Sequence, residues 1–154
     1  MIRQLLCVLV LALAVACRGV DWAACQPAER ASRALQAAID EKPDLARYHE
    51  LLGTFAVAIA EAGRHAHTPR ERAAVAEYQT ALRELTDVRL VWEEKEARGS
   101  ELLPIRDELP GRIAREYDLG VNTNEPPSIY ASEAVHVIWE AALSHLRAAT
   151  RALG

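Results

Sequence analysis

From Leu45 to Ala62 the apolar residues return every three or four positions: Leu45, Tyr48, Leu52, Phe55, Ile59 and Ala62. That interval lays them along one side of an α-helix, whereas a strand would scatter them over both faces. A helix with one apolar side must bury it against a neighbour. Two other segments repeat the pattern: Val75, Tyr78, Leu82, Leu85 and Trp92, then Val135, Trp139, Ala142, Leu146, Ala149 and Leu153. No segment alternates apolar and polar residues for more than a few positions, so no sheet is expected.

Punctuation residues divide the chain. A first helix is expected from Pro27, a residue suited to a first helical turn, to about Glu41, with Ala31, Ala34, Leu35, Ala38 and Ile39 inward. Lys42-Pro43 stops it, because the residue before proline is steered away from helical angles. Asp44 caps the second helix, which frays near Gly63. Thr68-Pro69-Arg70-Glu71 has the pattern of a capping box, in which a threonine hydroxyl and a glutamate three residues on satisfy each other's backbone N–H groups. The helix that follows runs to about Arg98, on the order of 45 Å at 1.5 Å per residue, and Gly99 suits a left-handed terminus. A short helix is expected from Asp107 to Asp118, then a loop over residues 120–127, with Ser128 capping the last helix. Short connections between such helices give an all-α fold, an antiparallel helical bundle of four to five helices of which two or three are long.

Residues Leu5 to Ala16 form a continuous apolar run preceded by Arg3 and closed by Ala14-Val15-Ala16-Cys17. A basic start, about a dozen apolar residues and a small-residue cut site make an export signal, and the run is too short to span a bilayer, which takes roughly 20 residues. The expected organisation is a signal peptide over 1–16, a tether over 17–26 and the bundle domain over 27–154. The cut site resembles the lipobox of bacterial lipoproteins, although Ala14 stands where that motif carries Leu, with Leu13 one step earlier. The resemblance implies lipidation of Cys17, a membrane anchor and, with Arg18 next, outer-membrane sorting. Ordinary signal peptidase acting after Ala14-x-Ala16 is the other reading and releases a soluble periplasmic or secreted protein.

With 22 acidic against 18 basic residues, net charge −4, the chain lacks the positive field that draws a protein to phosphate backbones, and nucleic acid is not an expected partner. Of the three cysteines Cys7 leaves with the signal; Cys25 then stays a thiol, pairs with another chain, or bridges to an unmodified Cys17. No disulfide framework holds the fold.

Candidate chemistry is sparse. His65-x-His67, with Glu61 near, is a weak metal pair beside its plainer reading as a polar helix end, where histidine suits the dipole. Glu133-x-x-His136 is half of a di-iron carboxylate pattern, but no second copy exists, and Glu133 and Glu140 fall away from the apolar stripe of their helix. No metal or other cofactor is expected. Arg89 shares the sector of Leu82, Leu85 and Trp92, with Glu93 four residues on; an arginine there pairs, snorkels or binds an anion. Arg89, Trp92 and Glu93 are therefore the candidate ligand or ion-pair site, with His49 and His145 as neighbours. No catalytic residue is expected: haem-attachment, phosphate-loop, nucleophile-elbow and zinc-finger patterns are missing, and Ser100, Ser128 and Ser132 lack the context of an activated nucleophile.

These features favour a non-enzymatic binding or structural role in the bacterial cell envelope, with an envelope protein as partner. Trp22 is a contact candidate, and so is the side of the last helix carrying Tyr130, Val137, Ala141 and Ala148, through which two copies would pair. The outline also resembles secreted chorismate mutases, exported helical bundles whose sites use inward-facing basic residues. That resemblance implies an enzyme, and here only Arg89 answers to it. A periplasmic metal-binding bundle built on His65 and His67 is the third reading.

Overall fold

The computed structural model describes residues 22–41 and 43–154. The expected signal segment, Cys17 and the start of the tether lie outside the described residues. The chain is an all-α bundle: α1 (Gln26–Asp40), α2 (Leu45–His65), α3 (Pro69–Arg98), a short α4 (Glu108–Glu116) and α5 (Ala131–Leu153). Among the described residues no helix is long and apolar enough to cross a membrane.

Local chemistry sets the helix ends. The Asp44 side chain accepts from the Arg47 N–H at 2.7 Å and starts α2. At α3 the capping box forms: Glu71 N–H donates to the Thr68 hydroxyl at 3.1 Å, and the Glu71 carboxylate accepts from the N–H groups of Thr68 and His67, each at 3.0 Å. Those backbone donors, Thr68 first, hold the Glu71 carboxyl below the ordinary glutamate range. Gly99 closes α3 at φ 59°. Gly111 allows another close approach, since a Cβ there would sit 2.4 Å from the Ile105 carbonyl oxygen.

Five expectations need correction, the first on α1, where Ala34 is exposed and Ala28 and Ser32 join Leu35 in the buried row. A small antiparallel sheet exists, pairing β1 (Leu102–Pro104) with β2 (Ser128–Tyr130), Leu103 opposite Ile129. Three residues per strand are too few for alternation to register in sequence. Ser128 therefore lies in β2 and does not cap α5; its hydroxyl donates to the Pro126 carbonyl at 2.7 Å. The tether ends early, because Ala23–Cys25 forms a 3-10 turn that buries Cys25 completely. Its sulfur, 3.9 Å from the Glu71 carbonyl oxygen, is not presented to another chain. Finally, the buried row of α5 begins Ala131, Ala134, Ile138 before joining the expected Ala142, Leu146 and Ala149. Small residues admit the close approach of α3, which leaves the larger Val135 and Trp139 half-buried at the edge.

Helix α3 is the centre of the bundle. It packs against α5, α2 and α4, and its buried set reaches well beyond the expected stripe to Ala74, Ala81, Glu84, Asp87, Val88 and Val91. From α2, Tyr48 is fully buried and donates to the Leu85 carbonyl at 2.9 Å, while Phe55 meets Tyr78 edge to face at 5.8 Å. Burial pushes the Tyr78 phenol up to about 12.

Urea denaturation checks this packing. Ile138→Ala is expected to cost about 2–5 kcal/mol, as a buried large-to-small change does. Val57→Ala, at a side chain 70% exposed, should stay within about 0.5 kcal/mol. Thr68→Ala should cost about 1 kcal/mol through the lost cap.

Candidate functional site

The expected charged group assembles only in part. Arg89 Nη1 lies 2.7 Å from His49 Nε2 and 3.2 Å from Glu93 Oε1, and His49 Nε2 is 3.1 Å from the same carboxylate oxygen. This three-membered node links α2 to α3 with its side chains roughly one-quarter to one-half exposed, so solvent screens it and its worth is modest. Trp92 does not join it. Its ring packs against Tyr48 at 5.9 Å and turns towards a cleft that neither Arg89 nor Glu93 lines.

That cleft, about 630 Å³, lies where α1 ends, α3 ends and α5 begins. Its apolar lining comes from Ile39 of α1 and Pro43 beyond it, Trp92 of α3, and Ala131, Val135 and Trp139 of α5. Tyr48 backs both indoles, meeting Trp139 edge to face at 6.3 Å. The Trp139 Nε1 donor is buried without an acceptor among the described residues, an exception to the rule that buried donors are paired. Lys95 and Ser132 supply the polar rim. There the Glu101 carboxylate bridges Lys95 Nζ at 2.5 Å and the Ser132 backbone N–H at 2.6 Å, while the Glu101 carbonyl accepts from the Ala131 N–H at 2.8 Å. Glu101 thus caps α5 from outside the helix, since Tyr130 in the N-cap position makes no side-chain cap bond. Its carboxyl is held below the ordinary range, chiefly by the Lys95 ammonium and then by the Ser132 contacts.

A second polar group lies within the α3–α5 seam. Glu84 and Asp87 are only 6% and 4% exposed. Asp87 takes two parallel bonds from Arg112 of α4, at 2.6 and 3.0 Å, and a third from the Tyr117 hydroxyl at 2.9 Å. Glu84 is less well served. His145 Nε2 is 3.6 Å from one oxygen, the other is buried without a partner among the described residues, and His145 Nδ1 lies 2.6 Å from Glu77 instead. Burial raises the Glu84 carboxyl above its ordinary range against the opposing pull of His145 and Arg83. His145 therefore belongs to this seam and not to the Arg89 node.

The histidine pair is not brought together as ligands. His65 Nε2 contacts Glu61 Oε1 at 2.9 Å, a carboxylate also paired with Arg64, and the His67 backbone bonds to Glu71. Among the described residues no group of three His, Cys, Asp or Glu side chains is placed to hold a metal ion. Glu133 and Glu140 are exposed, on the side their helical angle indicates. Trp22 sits half-buried at the start of the described chain, and on α5 Val137 packs against the core while Tyr130 is 43% exposed.

The cleft and the seam were not read from sequence as sites. The cleft is formed by three helix ends distant in the chain, and no local motif encodes it. The seam had a usable signal: Ala74, Glu77, Ala81, Glu84, Val88 and Val91 keep a three-four spacing, so two glutamates occupy a packing row. Compared with protein-family models, with curated proteins and with solved structures, the chain gives no match.

The seam has a pH consequence. A carboxyl whose folded-state pKa is raised favours folding in its protonated form, so its ionisation near neutrality costs stability. That cost fades as pH falls through the folded pKa towards the ordinary value of 4.5. Glu84→Gln should raise the unfolding midpoint at pH 7, and its advantage over the parent should shrink towards pH 4.5, as followed by thermal melts across that range.

Proposed function

We propose that this chain is an exported protein of the bacterial cell envelope, lipid-anchored at Cys17, whose bundle binds a small apolar molecule without chemically changing it. The observation that carries the binding reading is the cleft between α1, α3 and α5. Its volume of about 630 Å³ falls within the range of small-molecule sites, roughly 300–1,000 Å³. Its walls are apolar and aromatic, with a few polar atoms at one rim, the usual composition of such sites. The export and anchoring reading is supported by the Leu5–Ala16 run and the small residues before Cys17. An envelope protein, or a second copy meeting the Tyr130 side of α5, is the proposed macromolecular partner.

The alternative of a chorismate-mutase-like enzyme gains little support from this geometry. Lys95 is the one basic side chain among the described residues lining the cleft, and it is paired. Arg89 and Arg112 are engaged in ion pairs elsewhere.

Two of the chain's three tryptophans line the cleft, so intrinsic fluorescence reports its occupancy. Titration with the neutral probe N-phenyl-1-naphthylamine should quench tryptophan emission and brighten the probe, with a dissociation constant in the micromolar range. Val135→Phe, which fills the cleft, should remove most of that response. A probe response unchanged in Val135→Phe would defeat the cleft assignment. Intact mass of protein taken from membranes should show chains beginning at an acylated Cys17. Full-length chains in the cytosol would defeat export.

A further inference from the structure

The rim of the cleft holds a carboxylate of the chain itself, and that arrangement defines what else fits there. One oxygen of Glu101 faces the Lys95 ammonium and the other the Ser132 N–H in the first turn of α5. One full positive charge and the partial positive charge of a helix start make a receptor for a single negative charge. The two contacts, at 2.5 and 2.6 Å, suit the two oxygens of a planar carboxylate. Glu101 and Lys95 are both more than one-third exposed, so the glutamate side chain can turn to water. Its backbone carbonyl keeps the bond to Ala131 as it does so. The apolar walls begin at this same rim, with Ala131 and Val135 next to Ser132 on α5 and Trp92 one turn before Lys95 on α3.

We propose that the cleft's ligand is an apolar monocarboxylic acid, of fatty-acid or arylalkanoic type. Its hydrocarbon part lies against Trp92 and Trp139, and its carboxylate takes the place of Glu101 between Lys95 and the start of α5. Glu101 is then an internal competitor that occupies the anion position until such a ligand arrives. This inference rests on the cleft being a binding site and adds the charge and shape of the headgroup.

Decanoate and decanol, matched in chain length, separate the headgroup from the hydrocarbon in tryptophan-quenching titrations at pH 7.5. Decanoate should bind roughly tenfold more tightly than decanol, the scale of one charge-assisted hydrogen bond. Lys95→Met should abolish that preference by weakening decanoate roughly tenfold, and an acid preference that survives in Lys95→Met would overturn the headgroup assignment. Glu101→Gln, a weaker competitor for the ammonium, should tighten decanoate several-fold and leave decanol alone. Equal affinities for acid and alcohol in the parent protein would overturn the headgroup assignment and leave the cleft reading standing. So would weakened decanoate binding in Glu101→Gln with decanol unaffected. Failure of both molecules to bind would overturn both readings.

Discussion

Two carboxylates three residues apart on the central helix govern how the bundle is put together. Taking Asp87 and Glu84 out of water has a cost that only partners from other elements can offset. Arg112 and Tyr117 provide this for Asp87, which fixes where α4 and the turn after it dock on α3. His145, lying between Glu77 and Glu84, fixes the height of α5 along the same helix. The polar contacts tie α4 and α5 to α3 at defined positions, and one Glu84 oxygen is left without a partner among the described residues. Burial also raises the pKa of the Tyr117 phenol, with its bond to Asp87 adding to the shift.

Helix-forming signals were the legible part. The α2 stripe, the Asp44 cap, the Thr68 box and Gly99 are statements about residues within four positions of one another, and all four recur in the folded chain. What failed to show depends on distant residues. The β1–β2 pairing joins segments more than twenty positions apart and carries three residues each. On α5 the largest apolar residues marked a stripe, but close helix approach rewarded alanine over tryptophan and turned the first two turns by one position. Glutamates in a packing row looked like surface residues because their partners sit on other helices. Of the candidate site, Arg89 and Glu93 were readable as an i,i+4 pair and His49 as a neighbour. That Trp92 faces a cleft on its other side depends on where α1 and α5 come to rest, which no local pattern states.

The cleft follows from the same hierarchy. Tyr48 ties α2 to the Leu85 carbonyl and supports Trp92 and Trp139 together, so the aromatic wall is held by a buried hydrogen bond and not by loops. The rim is held by Glu101, which caps α5 in place of a helix residue and pairs with Lys95. The ligand proposed for the cleft would meet one exposed side chain at the rim and enter with little rearrangement of the backbone.

The burial of Cys25 shortens the leash. Since the described residues are already folded at the turn after Trp22, the lipid proposed on Cys17 would lie within five Cα steps of the bundle, at most roughly 18 Å even when stretched. The domain would then ride close against the bilayer surface, held by the end at which α1 starts. The mouth beside Ile39 and Pro43 lies at the other end of that helix, about 22 Å along its axis from the end such an anchor would hold.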